Sequence, residues 1–152
     1  MPSKLPFAED LNYWQTGASA PDKWIDDAQA ELRAIGGKIH GWAFGAETNA
    51  GRSAYMLDFE LDGERYKIVW PVLPTRSGKN EAAARRQAAT MLYHDIKNRC
   101  ITAKVQGKRS AFFSYLLLPD GRTAATVATP DLADQLPDIF RPKLLTTEKD
   151  SA

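Results

Sequence analysis

The dipeptide Asp62-Gly63 sits between two runs of alternating polarity, residues 53–61 (SAYMLDFEL) and 64–70 (ERYKIVW). An Asp-Gly pair between such runs is the strongest short signal for an antiparallel hairpin. A two-residue turn leaves no freedom of register, because a slip of one residue would turn every side chain to the other face. The turn therefore pairs Leu61 with Glu64, Glu60 with Arg65, Phe59 with Tyr66, Asp58 with Lys67, Leu57 with Ile68 and Tyr55 with Trp70. One face then carries Tyr55, Leu57, Phe59, Tyr66, Ile68 and Trp70 and must be covered. The other sets Asp58 opposite Lys67 and Glu60 opposite Arg65, and each such pair contributes a few tenths to about 1 kcal/mol.

The elements around the hairpin follow from similar arguments. Pro21 suits a first helical turn and Asp22 the positive end of the helix dipole. Trp24, Ile25, Ala28, Leu32 and Ile35 keep helical spacing up to Gly36-Gly37, which predicts a helix over 21–35. Residues 38–46 (KIHGWAFGA) alternate as a strand with His40, Trp42 and Phe44 on one face. Pro71 and Pro74 end the sheet, and the polar loop TRSGKN leads into a long helix over 80–106. Its apolar side is Ala84, Ala88, Leu92, Ile96 and Ala103, with Cys100 at the margin. Residues 110–118 read as a short helix, with a fourth strand as the alternative, closed by Pro119-Asp120-Gly121. A further short helix is expected over 130–140 and a frayed tail over 146–152. The irregular arm over 1–19 should dock through Phe7, Tyr13 and Trp14. The expected fold is a single α+β domain over 1–152: helix, three-stranded antiparallel sheet, long basic helix and short C-terminal helices.

Composition removes several function classes. A chain of 152 residues with 43% hydrophobic residues can bury a core of its own. One cysteine permits no internal disulfide, and with only His40 and His94 beside it a structural zinc site is excluded. No apolar run nears the roughly 20 residues that span a bilayer. The first ten residues, MPSKLPFAED, lack the apolar core of a signal peptide. The expectation is a soluble cytoplasmic protein with no membrane partner.

Charge is unevenly distributed. Between Val72 and Arg109 stand nine basic residues against two acidic, a local net of +7 in a chain whose overall net is +1. Residues 1–71 carry −4 and residues 110–152 carry −2. At 100° per residue, Arg86, Tyr93, Lys97 and Lys104 lie within about 40° of one another, on a stripe roughly 27 Å long. Lys79 and Lys108 extend it at either end. Such a row can neutralise successive phosphates, and Tyr93 offers a ring for a base. The loop Thr75–Lys79 adds Arg76 and Lys79 before a helix N-terminus, where backbone N–H groups favour phosphate. The expected nucleic-acid-binding residues are Arg76, Lys79, Arg85, Arg86, Tyr93, Lys97, Lys104, Lys108 and Arg109. A solvated helix face would also be charged, but such faces mix signs. Here only Glu81 and Asp95 intervene, and Asp95 is placed to pair with Arg99 at i,i+4.

Catalytic constellations are sparse. Asp58, Glu64 and Lys67 are similar to the carboxylate-and-lysine metal site of restriction-endonuclease-like nucleases. The spacing here is E-x-x-K rather than E-x-K, and the hairpin register puts Glu64 on the opposite face from the other two. Cross-strand ion pairs explain them more simply. Ser77-Gly78-Lys79-Asn80 lacks the upstream glycine and the Ser/Thr of a phosphate loop. His94 is a lone acid–base candidate, His40 a satisfied or exposed strand residue, and Cys100 an inert helix-edge thiol. No catalytic residue, metal ligand or cofactor is assigned.

The stretch from Ala82 to Thr123 resembles a set of uncharacterised proteins of phages and integrated mobile elements. It does so through Ile96-Lys97 within the helix, Gly107 near its end and the segment Phe112, Phe113, Tyr115, Leu116, Leu118-Pro119-Asp120-Gly121-Arg122-Thr123. The chain departs from that pattern at Lys108-Arg109-Ser110, where acidic residues are common. The resemblance implies a setting in mobile-element biology and no activity. Three strands followed by a basic helix are also similar to the core of single-strand annealing recombination proteins, in which hairpin and helix hold the DNA backbone. Helix, three strands, helix is equally the order of double-stranded-RNA-binding domains, with Lys79, Arg85 and Arg86 in the place of their lysine cluster. Both are likenesses of architecture alone.

The leading expectation is a non-enzymatic nucleic-acid-binding protein of a phage or mobile element, acting by sequence-independent binding or annealing of single-stranded DNA. DNA stands ahead of RNA as partner, and a homo-oligomer is compatible with the sequence. The alternative is a protein-interaction module, an inhibitor or adaptor, docking a host or phage protein through the basic helix, with Trp14, Trp42 and Phe113 as anchors. A metal-dependent nuclease ranks third.

Overall fold

The computed structural model describes residues 5–15, 19–46 and 53–128. A single 3₁₀ turn at Ala8–Asp10 lies in the N-terminal arm. Helix α1 follows at Pro21–Ala34, then strands β1 (Lys38–Ala46), β2 (Ser53–Leu61) and β3 (Glu64–Pro71). Helix α2 spans Glu81–Gln106, α3 Lys108–Phe112 and α4 Ala124–Val127, with a second 3₁₀ turn at Phe113–Tyr115. The strands form one antiparallel sheet in the order β1-β2-β3. The expected α+β class and the central elements are thus in place. The expected helix over 130–140 and the tail over 146–152 lie outside the described residues. Among the described residues, no helix is long and apolar enough to cross a membrane.

The hairpin has the expected register along its whole length, from Leu61 opposite Glu64 to Tyr55 opposite Trp70. Asp62 (φ 51°) and Gly63 (φ 83°) both take the left-handed conformation that lets a two-residue turn follow the strand twist. Tyr55, Leu57, Phe59, Tyr66 and Ile68 are buried beneath Ile25, Ala28 and Leu32 of α1 and Ala88, Leu92 and Ile96 of α2. Alanines on the buried sides of α1 and α2 let these two helices approach each other closely.

Two side-chain expectations need correction. The register shifts between Ile39 and Gly41, so His40 is an extra residue in β1. Trp42 and Phe44 share the face of Leu57 and Tyr55, their cross-strand partners, with Trp42 left exposed at its margin, whereas His40 turns to the other face and meets Glu60 at 3.2 Å. The outer-face ion pairs also differ. Asp58 is held by Arg65 at 2.7 Å, one register step from the expected Lys67, because the guanidinium reaches diagonally for both carboxylate oxygens. Residues 108–118 split the alternatives between them. They form helix as far as Tyr115, and then Leu116 and Leu117 lie along the free edge of β3, the Leu117 N–H donating to Arg65 O at 2.9 Å.

Helix α1 ends as Gly36-Gly37 require. Gly36 N–H donates to Arg33 O at 2.9 Å and Gly37 N–H to Leu32 O at 2.8 Å, a paired closure with Gly36 at φ 89°. A Cβ at Gly37 would stand 2.7 Å from Leu32 O and 3.0 Å from Leu61 Cδ2. Gly37→Ala is therefore expected to destabilise the fold by about 1–3 kcal/mol, read as a lower urea midpoint with unchanged m-value. A change under 0.5 kcal/mol would show that the helix end yields freely.

Candidate binding face of helix α2

The nine residues expected to line one basic stripe do not share one environment. Arg76 makes two 2.6 Å hydrogen bonds to Asp10, stands 5.2 Å from the centre of the Phe7 ring and gives its backbone N–H to Glu9. Its charge is used to clamp the arm. Arg85 turns inward, with its guanidinium 3.9 Å above Phe44 and Nε donating to Tyr55 Oη at 2.9 Å. Burial raises the Tyr55 hydroxyl pKa, and Arg85 opposes that shift. Lys108 reaches Asp62 at 3.0 Å, and Arg109 forks onto Glu64, so the basic end of the stripe neutralises the hairpin turn. Arg86 is half-buried, and its Nε finds no hydrogen-bond partner among the described residues.

Tyr93 is packed rather than presented. Its ring lies 5.3 Å from Trp24 and 5.1 Å from His94, with Lys97 Nζ 5.9 Å above it. His94 belongs to the same aromatic cluster, stacked on Tyr13 at 4.8 Å and 8°. Tyr13 holds that position with φ 67°, an uncommon backbone for a bulky residue. Among the described residues, Lys79, Lys97 and Lys104 are exposed and no carboxylate pairs with them. Arg99 pairs with Asp95 at 2.8 Å as the spacing suggested, caps Ala111 O at 2.8 Å and lies over Tyr115.

Sequence reasoning missed Gln87. Its Nε2 donates to Ala8 O at 2.8 Å and Asn12 O at 2.9 Å, fixing the arm across α2. A glutamine on the polar side of a helix gives no sign of such burial. It also missed Ile101 and Val105, 54% and 79% exposed between and beyond Lys97 and Lys104. Those two are visible in the sequence as β-branched aliphatics on the basic side. Of the aromatic anchors suggested for a protein partner, Phe113 and Trp42 are exposed, while Trp14 packs partly against the core.

The nuclease constellation does not assemble. Asp58 is bound to Arg65 and Glu64 to Arg109, on opposite faces of the hairpin. Among the described residues, no cluster of three His, Cys, Asp or Glu side chains is placed to hold a metal ion. Cys100 lies deeper than the helix margin expected of it. Its thiol is buried, points at Glu31 O 3.6 Å away, and is pushed up to about 11 by desolvation. At pH 8 only on the order of one molecule in a thousand carries the reactive thiolate. Alkylation by iodoacetamide at pH 8 is accordingly expected to be at least tenfold slower in the folded protein than in urea. Equal rates would place the thiol at the surface.

Comparisons with protein-family models, curated proteins and solved structures give no match for this chain.

Proposed function

We propose that this protein is a binding module with no chemistry of its own, and that it meets an anionic macromolecule through the exposed side of α2. The observation that supports it is the pair Lys97 and Lys104, about one and about three turns past His94, the last residue the arm covers, exposed with no carboxylate partner among the described residues. Unpaired cations on a rigid helix attract a polyanion without demanding sequence. One form of this reading is single-stranded DNA in a phage or mobile-element setting, with Lys79, Lys97 and Lys104 on the backbone. The tying-down of Arg76, Arg85, Lys108 and Arg109 shortens the footprint to those three. An acidic protein partner is the second form, supported by Ile101 and Val105, which a phosphate backbone does not use.

The test is Lys97→Glu with Lys104→Glu, assayed for binding to labelled oligo-dT and to poly-glutamate from low to physiological salt. Binding to at least one polymer, reduced tenfold or more in the double variant, is the expected result. Arg109→Glu, which reverses a cation already engaged by Glu64, should leave that binding within about twofold. Retention of full binding by the double variant would remove α2 from the account.

A further inference from the structure

One side of α2 is used twice along its length. Gln87, His94, Ile101 and Val105 are spaced 7, 7 and 4 residues apart, which puts them within about 40° on the helix surface. The first two are covered by the chain's own arm, through the Gln87 hydrogen bonds and the Tyr13–His94 stack. The last two are bare, 54% and 79% exposed. Apolar side chains of that size at successive turns are a poor choice for a purely solvated face.

The arm covers the first half of this side and ties its carboxylates to Arg76 in the loop before α2. Its segment Phe7–Tyr13 (FAEDLNY) alternates apolar groups with two carboxylates. Ala8 is fully buried, and Asp10 and Glu9 engage Arg76 at the edge. The bare half offers a different surface, with Ile101 and Val105 as an apolar floor and Lys97 and Lys104 as exposed cations beside it. From Lys97 to Val105 is about 12 Å along the axis, room for two helical turns of a partner.

Building on the α2 reading, we infer that the partner is an acidic amphipathic segment of another protein. Its aliphatic side chains rest on Ile101 and Val105, and its carboxylates meet Lys97 and Lys104. Charge complementarity selects the carboxylates, and the exposed aliphatic pair selects a protein over a nucleic-acid backbone. So small a footprint makes a weak, exchangeable contact unless other surfaces join it.

The experiment uses the full chain and three probes: an amphipathic Leu/Glu peptide, the same peptide with Ser for Leu, and oligo-dT. The Leu/Glu peptide should bind, and replacing its Leu by Ser should weaken it about tenfold or more. Ile101→Ser with Val105→Ser should weaken the Leu/Glu peptide as strongly, with the circular dichroism spectrum unchanged. Leu/Glu binding indifferent to that pair, or no Leu/Glu binding at all, overturns the inference. If oligo-dT alone binds, and only Lys97→Glu with Lys104→Glu abolishes it, the α2 reading stands with nucleic acid as partner. If neither polymer binds, both readings fall.

Discussion

Phe112→Ala is expected to destabilise the protein by about 3–5 kcal/mol, the usual loss for truncating a fully buried aromatic. The Phe112 ring is fully buried, edge-on to Phe59 at 5.6 Å and to Tyr66 at 6.2 Å. Those two rings are themselves a cross-strand pair stacked at 5.6 Å. Phe112 therefore fixes the chain leaving α2 onto the middle of the hairpin, and Leu116 can then lie along β3. A small domain holds only about 5–15 kcal/mol in total, so this one substitution removes a large share. Urea unfolding of the variant measures it. A loss under 1 kcal/mol would mean that the aromatic trio does not pin the C-terminal segment.

Gln87→Ala should cost about 1–3 kcal/mol and free the arm. Truncation removes the hydrogen bonds to Ala8 O, which keeps one from Leu11 N–H, and to Asn12 O, and each such bond contributes about 0.5–1.5 kcal/mol. Arg76→Ala removes the other anchor, but that pair is exposed and screened by solvent, and is expected to contribute little. The contrast assigns the arm's docking to the buried amide rather than to the surface charges. Limited proteolysis within the arm, read beside urea unfolding, should show Gln87→Ala cleaved much faster than Arg76→Ala. The reverse order would make the ion pair the true fastener.

What was legible in the sequence is what local rules govern. Asp62-Gly63 fixed a register that the strands keep to their ends, and Gly36-Gly37 marked a helix stop that the backbone closes as expected. The apolar side of α2 was readable because a period of 3.6 leaves few alternatives. The bulge at His40 was not, since alternation of side chains carries no sign of one inserted residue. The exposed cationic surface of α2 was less legible for a different reason. Charge can be counted along a chain, but its partners are distant: Arg76 finds Asp10, Lys108 finds Asp62 and Arg109 finds Glu64. Local net charge of +7 thus overstated the open cationic surface. The same long-range arm contact buries Gln87, whose polar type gives no sign of it.

Amide chemical-shift mapping tests the central claim, that the uncovered half of α2 is where this protein is bound. The full chain would be titrated with the Leu/Glu peptide and, separately, with oligo-dT. The account predicts that whichever polymer binds moves the amides of Lys97–Val105 most and leaves the arm and the outer face of the sheet unmoved. Shifts centred on Met56, Lys67 and Val69, where an open groove of about 510 Å³ runs between β2, β3 and α4, would contradict it. The sheet, not the helix, would then be the working surface.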